Sequence, residues 1–247
     1  MKKIAVLLTV LFFIAGSATA QVVMAGKIEY ERKINVHAKL KDMDDDNSSW
    51  IERSIAETPK FNIAYFDLIF NRSKSIYKPG REVENQSKTF SNEPAENNIV
   101  FTDLTTKKVK AVKMIFEDKF LVQDTMRTMT WRLKDELRIV AGYKCRKAVG
   151  VICDSVYVVA FYTEDIAASS GPEMFGNLPG IIMELAIPRL HTTWTATKIE
   201  LKSPSEEDFA ISEKGKKVSS KQLFETIQNS LKDWGKWGTR YVWLTSL

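Results

Sequence analysis

The 247 residues carry 36 Lys and Arg against 31 Asp and Glu, a formal charge of +5, with 44% hydrophobic residues and only two His and two Cys. Two units of that charge sit on Lys2 and Lys3, and the balance left is too even for nucleic-acid recognition, which wants a concentrated basic face. Two His without an H-E-x-x-H arrangement also exclude the usual zinc-hydrolase site.

Residues 1–20 read as a secretory signal: Lys2 and Lys3, an apolar run from Ile4 to Ile14, and Ala18-Thr19-Ala20 as the small-x-small pattern ahead of Gln21. A membrane anchor is the alternative, but the run is shorter than the roughly 20 residues a span requires. No Cys follows it to carry a lipid. Cleavage after Ala20 leaves residues 21–247, expected as one mostly-β domain in a secreted or periplasmic location. No later segment of the mature chain is apolar and long enough to be transmembrane.

Gly26 to Val36 alternates apolar and polar residues, with Ile28, Tyr30, Ile34 and Val36 on one parity, as a strand with one wet face does. Asp42, Asp44 and Asp46 then fall at positions one, three and five of a calcium loop. Asn47 stands where Gly is needed and Arg53 where the bidentate Glu belongs, so the EF-hand reading fails. A short helix is expected over 48–57, strand character over 61–77, and a mobile polar loop over 79–98.

Further short strands are predicted over 99–104, 108–116, 120–122, 127–138, 143–148, 154–162, 181–187 and 191–201. The basic run Lys107 to Lys113 reads as a solvated face or a guarded edge. The clearest helix spans 219–234: Ser219 caps it, Gln222 occupies the capping-box position, and Leu223, Phe224, Ile227, Leu231 and Trp234 form its core-facing stripe. Trp234, Trp237 and Trp243 are expected to close the core at that end.

Many short strands with few helices between them predict a curved antiparallel sheet, a half-barrel or bowl, carrying a short helix in the N-terminal half and another at the C-terminus. A β-sandwich is the alternative.

Chemistry-bearing residues are sparse. Cys145 and Cys153, with seven residues between them that include Gly150, are a disulfide candidate in an oxidising compartment if a hairpin brings them face to face. His37 and His191 fall in expected strands, and no G-x-S-x-G elbow accompanies them. Glu164/Asp165 and Glu173/Glu184 are carboxylate pairs of a kind that chance supplies freely. No catalytic residue, cofactor or metal ligand is assigned.

Residues 130–185 carry an ordered set of motifs: Trp131-Arg132-Leu133, Glu136, Ile139, Gly142-Tyr143-Lys144-Cys145-Arg146-Lys147-Ala148, Phe161-Tyr162-Thr163, Ile166, Gly171-Pro172 and Asn177-Leu178-Pro179-Gly180-Ile181-Ile182. With the leader, Gly26-Lys27-Ile28 and Ser75-Ile76-Tyr77, this set resembles the GLPGLI family of exported bacterial proteins. Asn177 stands for the first Gly of the naming motif, and Phe161 where the family commonly has Trp. The resemblance implies export and an envelope or extracellular location, and brings neither a settled activity nor catalytic residues. Gly171, Pro172, Asn177, Leu178, Pro179 and Gly180 then form a signature turn, with Pro179-Gly180 expected as a type II turn and Leu178 buried as a plug.

The function expected is that of a non-enzymatic protein that binds a hydrophobic or amphipathic ligand on the concave face of the sheet. An interaction module for an envelope protein partner, as in an outer-membrane or secretion complex, is one alternative. A hydrolase using carboxylates or His191 is the other.

Overall fold

The computed structural model describes residues 24–43, 49–83 and 93–247. The expected leader, Asp44 and Asp46 of the calcium test, and residues 84–92 of the expected 79–98 loop lie outside the described residues.

The expected sheet is present as one open, curved layer. Among the described residues it has twelve strands in the order β12-β6-β5-β4-β3-β2-β1-β11-β10-β9-β8-β7. They are β1 (Gly26–Asn35), β2 (Phe61–Phe70), β3 (Lys74–Pro79), β4 (Ile99–Asp103), β5 (Lys108–Ile115), β6 (Asp118–Thr125), β7 (Arg132–Val140), β8 (Tyr143–Ile152), β9 (Val156–Thr163), β10 (Ile181–Ile187), β11 (Thr192–Glu200) and β12 (Lys216–Val218). Every pairing is antiparallel except that of β12 with β6. A twisted sheet this wide has to curl. Bulges at Glu29/Tyr30 and Ile182/Glu184 add bend near its middle.

Hairpin chemistry explains the local folding. Val140 pairs with Tyr143 across Ala141-Gly142, whose φ values of 47° and 85° are those of a tight primed turn. Gly142 of the GYKC motif is thereby accounted for without a ligand.

The helices depart from expectation. The alternation through Val36 does not continue as strand: Val36–Met43 is helix α1, with Val36, Leu40 and Met43 buried. His37 therefore lies on a helix, its Nε2 2.7 Å from the carbonyl of Thr58. Helix α2 (Ser49–Glu57) matches the short helix expected over 48–57. The C-terminal helix expected over 219–234 is present as α3 (Ser220–Ser230), and a further helix, α4 (Gly235–Thr245), follows it. Ser219 and Gln222 do form the capping box of α3, but Gly235 at φ 55° redirects the chain. Trp234 is left 54% exposed at that break, edge-on to Phe116, so it does not close the core. No described helix is long and apolar enough to cross a membrane.

Register sorts the sheet's two faces, because paired residues point to the same side. Ile28, Tyr30 and Arg32 of β1 share the inner face with Phe66, Leu68 and Phe70 of β2, Ser75 and Tyr77 of β3, and Val109, Ala111 and Lys113 of β5. The segment between β9 and β10 packs on this face together with α3 and α4. The Tyr30 hydroxyl donates to the Ile182 carbonyl at 2.5 Å, and the Ser75 and Ser170 hydroxyls lie 2.8 Å apart. Phe175 and Leu178 fill the space between, Leu178 only 3% exposed.

Truncating so buried a side chain removes its transfer energy and leaves a cavity. Leu178→Ala is expected to lower the unfolding free energy by about 2–5 kcal/mol in urea titrations, without loss of the native circular dichroism spectrum.

Candidate functional site

The chain from Ser170 to Gly180 folds as a compact knot. Ser170 and Gly176 form an antiparallel bridge, the Ile182 amide donates to the Ser170 carbonyl, and the Phe175 amide closes a turn on the Pro172 carbonyl. Only Asn177 and Pro179 among residues 171–180 are exposed. The type II turn expected at Pro179-Gly180 is not formed, since Gly180 does not adopt a positive φ. A Cβ there would lie 1.9 Å from the Thr163 carbonyl oxygen, so Gly180 is required by close backbone approach. The left-handed residue beside this turn is Asn177, at φ 62°. Asn tolerates that region better than other non-Gly residues, and its side chain also donates to the Arg127 carbonyl at 2.6 Å.

The motifs that lie apart in sequence meet here. Trp131 donates its indole N–H to the Gly176 carbonyl at 2.9 Å and packs over Gly150, where a Cβ would lie 3.2 Å from its ring. The strap 126–131 thus ties the knot down from outside.

At the inner end of the knot lies Glu173, 2% exposed and itself left-handed at φ 55°. The Asn98 side-chain amide donates to its Oε2 at 2.8 Å. Arg32 from β1, Tyr77 from β3 and Lys113 from β5 act on the same carboxyl. Phe66 stacks on Tyr77 with ring centroids 4.9 Å apart, Arg32 lies over the Phe66 ring, and Trp194 donates to the Tyr77 hydroxyl at 3.0 Å. Burial pushes the Glu173 carboxyl above the usual range, against the pull of Asn98 and the cations. Burial also lowers the Lys113 ammonium to about 7, although Glu173 favours its charged form. The basic run is therefore no solvated face at Lys113, because the β5 register turns that residue inward with Val109 and Ala111.

The second anchor is the chain end. Lys113 Nζ donates to the Thr245 carbonyl at 2.8 Å, Arg127 to the Ser246 carbonyl, and the Met174 amide to the Leu247 carbonyl at 3.2 Å. Beside these contacts opens a cleft of about 390 Å³, lined by Lys113, Arg127, Met129, Met174 and Phe224, with Cys153 and Ser246 at its wall. Arg127 Nη1 is buried there without a hydrogen-bond partner. Such an atom forgoes its water contacts, at a cost of order 1–3 kcal/mol or more for a charged group.

The remaining candidates are not brought together. Cys145 and Cys153 are free thiols. Cys145 lies within β8 and Cys153 just beyond its far end, so extended geometry puts them roughly 25 Å apart, whereas a bridge needs Cα atoms within about 7 Å. The hairpin turns are at Ala141-Gly142 and at Cys153-Asp154-Ser155, which leaves none between the cysteines. Burial raises the Cys145 thiol to about 11, that of an inert core residue.

His191 stands in the left-handed region at the end of a 3₁₀ turn, just before β11, and its Nε2 lies 2.6 Å from Asp42 Oδ2. Among the described residues its ring has no hydroxyl or thiol partner to activate. Glu184 pairs with Arg138 while Glu173 pairs inward, so these two carboxylates serve separate partners. Glu164 and Asp165 are exposed neighbours after β9. No described His, Cys, Asp and Glu cluster could hold a metal.

Arg127 and Lys113 were invisible to motif reading. Parity along β5 is a signal that could have placed Lys113 inside, while nothing local distinguishes Arg127.

The family described as "Protein of unknown function (Porph_ging)" matches residues 150–184, which run from Gly150 through the knot to Glu184. No curated protein matches the chain. Among solved structures, PNGF-II is similar in two crystal forms. The P21 form gives a TM-score of 0.53 at 14% identity over 79% of this chain, and the C2 form 0.54 at 14% over 84%. The chain spans about a third of PNGF-II, 32% and 33% of its length in the two forms. At that identity the likeness is one of fold.

Glu173 and Lys113 are buried and act on each other through space, while each holds its own hydrogen-bond partner, Asn98 and the Thr245 carbonyl. Glu173→Gln and Lys113→Met are each expected to cost about 1–3 kcal/mol in urea unfolding at pH 7.5. The double variant should cost less than their sum, with a coupling of about 1–3 kcal/mol. The lowered Lys113 value has its own signature. Between about 7 and the ordinary 10.5, the unfolded chain binds a proton that the folded chain does not. Stability should therefore rise with pH across that window. Lys113→Met should flatten the rise.

Proposed function

We propose that this is an exported, non-enzymatic binding protein of the bacterial envelope, similar to the GLPGLI family, and that it takes an amphipathic anion in the cleft beside the chain end. The observation that carries the reading is Arg127 Nη1, a buried cationic donor without a partner, in a cleft where Met129, Met174 and Phe224 share the lining with Lys113, Lys221 and the carboxylate of Asp154. An acidic head would satisfy that donor, while polarizable methionines suit a flexible apolar body. Phe175, Leu178 and α4 pack on most of the inner face of the sheet, which supports the cleft at its Lys113 end as the place for a ligand. Export rests on the sequence of residues 1–20 and on the resemblance.

The probe is the anionic amphiphile 1-anilinonaphthalene-8-sulfonate, titrated by fluorescence into the folded protein. One saturable site is expected, weakened about tenfold or more in Arg127→Met, which loses a charge-assisted bond. No saturable binding, or equal binding by the variant, would contradict the reading. N-terminal sequencing of protein recovered from the periplasm or medium should begin at Gln21.

A second reading, an interaction module of an envelope complex, is favoured by β7. This edge strand exposes Leu133, Leu137 and Ile139 among alternating charges. In-cell cross-linking from position 137 should then trap one dominant protein.

A further inference from the structure

The largest cavity described, about 650 Å³, lies on another side of the molecule. It is formed by the end of α1, the turn at Arg189 and the first turn of α4. Among the described residues its charged lining is Lys39, Arg189, Lys232, Lys236 and Arg240 against the carboxylate of Asp42. Lys39 pairs with Glu93 and Asp42 with His191, and Lys236 also has a partner.

Arg240 is the informative member. It is only 5% exposed, it donates Nη2 to the Leu190 carbonyl at 3.1 Å, and its Nε has no partner. The carboxylates that act on it are Glu93 and Asp42, neither of them hydrogen-bonded to it. A buried guanidinium with an unmet donor on a cavity wall is costly unless something arrives to meet it.

The backbone points the same way. Gly235, Lys236 and Thr239 put the start of α4 on the wall, and its N-cap residue, Trp234, makes no side-chain cap. The positive dipole end of that helix favours an anion. Arg189 lies over the Trp243 ring, 5.6 Å from its centroid, which keeps that guanidinium at the cavity mouth.

We propose that this cavity binds a phosphate-bearing ligand, with Arg240 and the α4 N-terminus holding the phosphoryl oxygens and Arg189 and Lys232 closing over them. The site is separate from the cleft at Arg127 and shares no lining residue with it. A soluble phosphate ester and a phospholipid headgroup present the same chemistry.

Calorimetric titration with inorganic pyrophosphate, and co-sedimentation with phosphatidylglycerol against phosphatidylcholine vesicles, separate the two sources. Saturable pyrophosphate binding, or retention on the anionic vesicles alone, is the expected result. Arg240→Met is expected to reduce it at least tenfold. Because that variant removes a buried side chain, the exposed pair Arg189→Gln and Lys232→Gln is measured too, with an expected loss of about fivefold or more. Neither probe binding, or binding unchanged in both variants, overturns the proposal. Met43 is followed by Asp44-Asp45-Asp46 in the sequence. Binding that emerges only when these three are changed to Asn would show the chain's own carboxylates to be the anion, and would overturn an external ligand.

Discussion

The structure depends on burying one carboxylate. Glu173 is carried into the interior by the β9–β10 connection and met there by Asn98, Arg32, Tyr77 and Lys113. These come from β1, β3, β5 and the approach to β4, so one side chain ties together strands that are not neighbours. Desolvating a charge costs several kcal/mol, and only its partners make the arrangement tolerable. Even so, Glu173 Oε1, Asn98 Oδ1 and Arg32 Nε remain buried without a hydrogen-bond partner.

That constraint explains the rest of the knot. Gly180 has to let the chain pass against Thr163, and Asn177 has to turn left-handed, or Glu173 would not reach its partners. Trp131 holds the knot from outside through Gly176. Met174, next to Glu173, binds the last residue of the chain, and Lys113 and Arg127 hold the two before it. The motif is thus an internal fastening, and buried polar atoms without a partner occur within it, at Glu173, Asn98 and Arg32, as well as beside it at Arg127 and across the molecule at Arg240.

Much of the fold was legible in the sequence because alternation along a strand is a local signal. β1 follows it closely, β9 and β10 show instead as short β-prone apolar runs, and the Ser219/Gln222 capping box marked α3. Helix α1 was missed because Val36 continues the strand parity while Leu40 and Met43 supply a helical face that only packing selects. Helix α4 was missed because the Trp-rich run after Gly235 has no capping residue to announce it.

The site was less legible. Burial of Glu173, Lys113 and Arg240 is decided by partners distant in sequence, and an isolated charged residue between apolar ones looks like any solvated charge. The cysteines mislead for the same reason. Their spacing suits a hairpin, and only the uninterrupted pairing of β8 with β9 shows that both lie along one strand.

Native-state hydrogen exchange of residues 171–182 tests most directly the claim that the knot is a fastening set by Glu173. The amides of Phe175 and Ile182 should exchange only with global unfolding in the wild type, and through a much cheaper local opening in Glu173→Gln. Rapid exchange of these amides in the wild-type protein, with the sheet still protected, would contradict the account.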